Sequence, residues 1–261
     1  MHSLKIYLWK MWISIRASAR KPFDAGAIFL SIVVRESIPV LVVWVLISKI
    51  GVMGGMSGRS VLLMLFIRTC AIGLKDSLCS GVRNLANAIW NGTIDQHLTQ
   101  PGNVLSKNLV DENVQVLPVI LAWGVVTGTL WTLLRPHAPA WLIVTFGVSG
   151  GLILFSMELI LMSLTFWNIH PGQLHWMLFF VEEQYAQYPL TIFHPVIQAA
   201  LTFLIPIGFV AFYPVASLYP VQVPMGISPP AWVPYLVAVV LLTLALVIWK
   251  AGLDRYTSTG T

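Results

Sequence analysis

The sequence is poor in charge. Only 10% of its 261 residues are Asp, Glu, Lys or Arg, against 57% hydrophobic residues and a mean hydropathy of +0.81. A soluble globular chain carries about 25% charged residues, so water cannot be the solvent over most of this surface. Lipid has to take its place. Polar runs are scarce too: the longest covers roughly residues 80–112, with no room for a separate soluble domain. Cysteine is nearly absent. Cys70 and Cys79 stand nine positions apart, more than two helical turns, which is beyond the reach of a disulfide. They read as small apolar residues and leave the redox compartment open. No G-x-x-x-x-G-K-[ST] phosphate loop occurs, which excludes the usual grip on nucleotide. The glycine-rich stretch Gly51–Gly58 has no Lys after it and reads as a turn.

What is present is a series of long apolar runs. Crossing about 30 Å of hydrocarbon at 1.5 Å per residue takes about 20 residues. Six runs qualify, near 26–48, 60–79, 113–134, 139–166, 192–212 and 232–250. The expected fold is therefore an all-α membrane protein with six transmembrane helices in one domain, residues 25–261. Residues 1–24 precede it and do not resemble a cleaved signal peptide: Lys5, Lys10, Arg16, Arg20 and Lys21 are mixed with aromatics. At 100° per residue Leu4, Leu8, Met11, Trp12 and Ile15 share one arc, as in an amphipathic helix lying in the interface and ended by Pro22. Between the fifth and sixth runs lies an uncharged segment with Pro214, Pro220, Pro224, Pro229 and Pro230, able to dip back into the membrane.

The net charge of +5 and pI near 9.4 do not indicate nucleic acid, because the basic residues sit at the ends of apolar runs. With the N-terminus inside, the inner side carries Lys5, Lys10, Arg16, Arg20, Lys21, Arg83, Lys107, Lys250 and Arg255. The outer side carries Lys49, Arg59 and Arg135. The positive-inside rule then places both termini in the cytoplasm, in the cell (inner) membrane.

On this topology Gly81–Asn113 is a cytoplasmic connector between the second and third spans. It combines a short helical pattern (Val82, Leu85, Ala86, Ile89) with Gly92, Ile94, Leu98 and Pro101, and suits docking of a soluble partner. The string Gly92-Thr93-Ile94-Asp95-Gln96-His97-Leu98, with Pro101 and Asn103, resembles the G-x-L-D-x-x-L-x-R-P-x-N signature of ABC-2-type permeases. Phe166-Trp167, Tyr188-Pro189-Leu190, Pro206, Phe209, Tyr213, Pro214, Gly252-Leu253 and Tyr256-Thr257-Ser258 extend the resemblance over nearly the whole chain. Gln100 departs from it, standing where the family typically has Arg. The resemblance implies a six-helix exporter half that pairs with a second permease, identical or paralogous, and binds a cytoplasmic ABC ATPase dimer. The connector then contains the coupling helix, with Ile89, Gly92, Ile94, Asp95, Leu98 and Pro101 as the ATPase-coupling loop. ATP and Mg belong to the partner ATPase; this chain needs no cofactor, is no enzyme, and contacts membrane lipid.

Charges inside the apolar runs are the next signal. Arg35 and Glu36 lie in the first span, Arg68 in the second and Glu158 in the fourth. Each costs a few kcal/mol or more at the bilayer centre unless paired or hydrated. They either line a polar path for substrate or form buried ion pairs, for instance Arg35 or Arg68 with Glu158. Lys75-Asp76 lies near a span end, where snorkelling suffices. Gly147-Val148-Ser149-Gly150 matches the G-x-S-G of rhomboid-type proteases, yet no histidine stands on the sixth span to activate the serine. Close helix packing explains it better. His170, His175, Glu182, Glu183 and His194 match no compact metal motif, so no metal is expected. Asn91-Gly92-Thr93 is cytoplasmic here and not a glycosylation site.

The leading function is the permease of an ATP-driven exporter. The alternative is a secondary transporter driven by an ion gradient, using Glu158 and Arg35 as a relay. An enzyme lacks a nucleophile–base pair; an assembly scaffold is the remaining class.

Overall fold

The computed structural model describes residues 2–110, 115–135, 138–167, 172–226 and 228–256, and they are mainly helical. Helix α1 runs over His2–Arg20. It turns its large apolar side chains outward: Leu4, Leu8 and Trp9 are more than half exposed, while the small polar Ser14 and Ser18 are buried. Lys21 leaves helical geometry (φ −127°) and Pro22 opens α2, Pro22–Ile50. A proline is at home there, since the first N–H of a helix has no partner to lose. Pro22 therefore starts the second helix, and the boundary falls earlier than residue 26.

A two-stranded hairpin follows, β1 (Val52–Met53) against β2 (Met56–Ser57). Gly54 and Gly55 take its turn with φ of +55° and +75°, which L side chains avoid. The stretch is thus a tight turn. Helix α3 (Gly58–Leu78) comes next, with Ser57 capping its N-terminus. The later helices are α4 (Leu85–Trp90), α5 (Thr93–Thr99), α6 (Val104–Asn108), α7 (Val116–Leu134), α8 (Ala140–Ser163), α9 (Gly172–Gln184), α10 (Pro195–Ala199), α11 (Phe212–Ala216) and α12 (Val233–Leu253).

Among the described residues, four helical segments are long and apolar enough to cross a membrane: Pro22–Lys49, Val116–Leu134, Ala140–Trp167 and Val233–Leu253. Helix α3 has 21 residues, about 30 Å of length. It carries Arg59, Arg68, Lys75 and Asp76, and Val61–Ile67 is nearly all buried between α2, α7 and α8. A helix enclosed on every side needs no polar face.

The run near 192–212 is not one helix. Pro195–Leu204 is a short apolar helix that ends in a π turn at Ala200–Leu204. Ten residues span only about 15 Å. Pro206 lacks an N–H and forces Ile205 into extended backbone (φ −122°, ψ 86°), so the helix cannot continue. The chain resumes with a 3-10 turn at Ile207–Phe209 and then α11. Thr202 and Tyr213 tie the two arms together through their hydroxyls at 3.0 Å.

Helix α8 is the central post, packed along α3 and α12, while α7 packs on α2 and α3. Glycines permit the approach. A Cβ on Gly147 would lie 2.9 Å from Cys70 Cβ, and one on Gly150 2.9 Å from both Ala71 Cβ and the Val210 carbonyl. Ser149 donates to its own helix at Phe146 O, 2.9 Å away. The G-x-S-G string is therefore a contact surface of small residues. Both cysteines are free.

Candidate functional site

Two features have chemical content: a buried ion network in the helical body and the connector fastened to its end. The network begins on α3, where Arg68 and Lys75 stand seven residues apart and so share a face two turns apart. Arg68 Nη1 meets Glu36 Oε2 of α2 at 2.9 Å, and its Nη2 meets Glu183 Oε2 of α9 at 3.0 Å. Glu36 is held from its other side by Arg35 Nε at 3.1 Å. Lys75 Nζ meets Glu182 Oε2 of α9 at 2.8 Å and Glu158 Oε2 of α8 at 3.3 Å. Arg83, on the 3-10 turn Ser80–Asn84, joins Asp76 at 2.9 Å and Glu158 at 3.4 Å.

These contacts revise several expectations. Arg35 and Arg68 do not pair with Glu158; they converge on Glu36, and Glu158 faces Lys75 and Arg83. Lys75 does not snorkel, because its side chain is only 3% exposed and ends on two carboxylates. Glu182 and Glu183, for which the sequence offered no role, face Lys75 and Arg68. His194 caps α10, its Nδ1 accepting from Val196 N at 3.4 Å. His170 and the side chain of His175 lie outside the described residues. No cluster suited to a metal occurs among the described residues. Arg68 and Glu36 are each 1% exposed, so the desolvation cost of each charge is offset only while its partners stay in place. Sequence reasoning missed Lys75, Arg83, Glu182 and Glu183. Its one available signal was the seven-residue spacing of the two cations on α3.

The connector is a folded unit. Val82, Leu85, Ile89, Ile94, Val104 and Leu105 form one apolar cluster with Phe155, Leu159 and Met162 of α8 and with Ala245 and Trp249 of α12. Phe166 completes this floor, its ring 5.2 Å from Trp249 and 5.8 Å from Tyr256. Thr257 and Ser258 lie outside the described residues. Gly92 reverses the chain between α4 and α5 with φ +68°, which explains a glycine at that position. Of the coupling-loop candidates, Ile89 and Ile94 point into the floor at 5% and 0% exposure. Asp95 is half-buried, while Leu98 and Pro101 face outward.

Helix α1 is tied to the connector and to the helix ends on either side of it, α3 and α7. Tyr7 Oη donates to Leu78 O at 2.9 Å, Lys10 Nζ to Lys107 O at 2.8 Å, and Val116 N to Ser14 Oγ at 2.9 Å. A groove of 720 Å³ remains between α1 and α4–α6, lined by amides that include Asn84, Asn87, Gln96 and Gln100. Lys107, 1% exposed, donates to His97 O and Gln100 O at 2.8 Å each, closing the C-terminal end of α5. Replacing it with Met strands two carbonyls, at about 1–3 kcal/mol. Lys107→Met should raise amide exchange in residues 93–103 while leaving α8 protected, as hydrogen-exchange mass spectrometry would show.

The sequence pattern of the family described as "ABC-2 family transporter protein" matches residues 34–260, most of the chain. No curated protein and no solved structure matches it. The match covers the charged helices, the connector and the aromatic floor alike. The chain belongs to the ABC-2 family of membrane transport proteins.

Proposed function

We propose that this chain is the permease subunit of an ATP-driven exporter, pairing with a second permease and driven by a separate cytoplasmic ABC ATPase dimer that carries ATP and Mg. It crosses the membrane six times: through α2, α3, α7 and α8, through α10 and α11 together as one interrupted pass, and through α12. Helix α1 lies in the interface with Leu4, Leu8, Trp9 and Trp12 toward lipid, and both termini and the connector are cytoplasmic.

The single observation that carries this reading is the form of the connector. Its root is fixed in apolar contact with α8 and α12, while Leu98 and Pro101 stand exposed at the end of α5. A rigid element with a free tip passes a push from outside to the helices beneath it. Arg83 bridges that root to Glu158 of α8, so the push reaches charged as well as apolar contacts. Arg35, Glu36, Arg68 and Glu158 then serve as ion pairs that fix helix register. The family match supports transport, and the ion-gradient alternative has no such support.

The test is to replace Gly92–Pro101 with a Gly/Ser linker of equal length in the assembled transporter. Hydrolysis by the ATPase should persist at its basal rate and lose its coupling to transport, which should fall to background. Unchanged stimulation of hydrolysis by the permease would overturn the reading.

A further inference from the structure

The groove between α1 and the connector is walled by hydrogen-bonding side chains in a regular arrangement. Asn84, Asn87 and Asn91 stand at three- and four-residue steps along α4 and its ends, and Thr93, Gln96 and Gln100 do the same along α5. Residues so spaced share one helix face, so each short helix turns a polar face to the groove. The other faces, with Leu85, Ile89 and Ile94, are buried in the apolar floor. The side chains of Asn87, Asn91, Gln96 and Gln100 are exposed and make no hydrogen bond among the described residues. Charge is scarce here: residues 84–103 contain one formally charged side chain, Asp95, where a soluble chain has about 25%.

We propose that this groove is a binding site for an uncharged sugar, presented as the headgroup of a glycolipid. Its position at the membrane surface rests on the interfacial placement of α1 proposed above; its chemistry rests on the side chains themselves. A carboxamide carries two N–H donors and a carbonyl acceptor. A hydroxyl is donor and acceptor at once, so one amide can bond two neighbouring hydroxyls of a sugar ring. An anion would use only the N–H half of each amide, and a cation only the C=O half.

The rest of the lining agrees. Lys10 and Lys107 direct their ammonium groups onto backbone carbonyls, those of Lys107 and of His97 and Gln100, and so hold the walls in place. Their charge also repels a cationic ligand. The volume of 720 Å³ falls within the ~300–1,000 Å³ of small-molecule sites. Ile6 and Trp9 form the α1 side. Trp9 is 61% exposed, so its indole offers a flat apolar face to the C–H groups of a sugar ring. It also belongs to the lipid-facing set with Leu4 and Leu8. An acyl chain attached to the bound sugar therefore passes into the bilayer at Trp9.

The experiment places the full-length chain, without ATPase, in phosphatidylcholine nanodiscs. These are doped with diglucosyl diacylglycerol, with phosphatidylserine, or with diacylglycerol that has no headgroup. The dopant is present in both leaflets and no motor is needed, so the outcome is independent of the orientation of the chain and of the linker test. Native mass spectrometry should find the glycolipid retained in preference to both others, and hydrogen exchange should slow over residues 84–100. N87A/N91A and Q96A/Q100A should each weaken retention ~10-fold, as loss of two hydrogen bonds implies. Both should melt with the wild type, because the deleted groups bond nothing in the protein. Free maltose added to undoped discs at the same concentration should give no protection; protection by it would keep the sugar chemistry and overturn the lipid as its source. Equal retention of phosphatidylserine or of headless diacylglycerol, wild-type retention in both double variants, or failure of both to fold would overturn the site.

Discussion

Arg68→Met should unfold the helical body. The substitution replaces the aliphatic stem but not the guanidinium, and leaves the buried Glu36 and Glu183 without their main cation. Breaking one side of a buried ion pair costs about 3–5 kcal/mol, a large part of the ~5–15 kcal/mol that holds a typical domain together. Most of the loss is the charge left behind, so it can be undone without restoring the arginine. Adding E36Q and E183Q to Arg68→Met should recover most of the unfolding midpoint. Arg35 confines the damage little, since its own side chain is 40% exposed and bonds only one oxygen of Glu36. If the single variant melts with the wild type, the network carries no structural weight and the register reading of these charges fails.

Gly150→Leu should be nearly as damaging, for a steric reason. The new Cβ alone would sit 2.9 Å from the Val210 carbonyl and 2.9 Å from Ala71 Cβ, and neither is the tip of a flexible side chain. Overpacking in a tight core costs about 1–3 kcal/mol where neighbours can shift. Here α3, α8 and the interrupted segment would have to separate together, so loss of folded protein is expected. Gly124→Leu is the control. Nothing lies within 4 Å of a Cβ there, and expression and melting should stay at wild-type values. Comparable yields of folded protein from the two variants in size-exclusion chromatography would contradict the packing account of the G-x-S-G string.

Hydropathy made most of the helical framework legible, because a run such as Val233–Leu253 announces itself without reference to any neighbour. The interrupted segment at 195–216 was not legible. Its average hydropathy suits a span, and only the order in which Ile205 and Pro206 break the backbone decides otherwise. The charged residues within the runs were visible, but their partners were not. Arg68 reaches Glu183 across 115 residues and Lys75 reaches Glu182 across 107. Spacing along one helix carries no information about which other helix will face it. Glu182 and Glu183 match no motif and therefore have no role readable from the sequence, although α9 brings them to α3. In the connector, the motif marked the segment correctly as a unit, yet it could not divide Ile89 and Ile94, which anchor, from Leu98 and Pro101, which face out.

The three bonds from α1 to Leu78, Lys107 and Val116 also set a timetable for making the protein. Helix α1 leaves the ribosome before the groups that hold it, and its last anchor follows Ser14 by 102 residues. At ~5–20 residues per second that interval is ~5–20 s, long compared with the microseconds in which a helix forms. Docking never covers Leu4, Leu8, Trp9 and Trp12, which stay exposed in the finished fold, so during that wait the bilayer is the one surface that can hold α1 until its docking site has been synthesised.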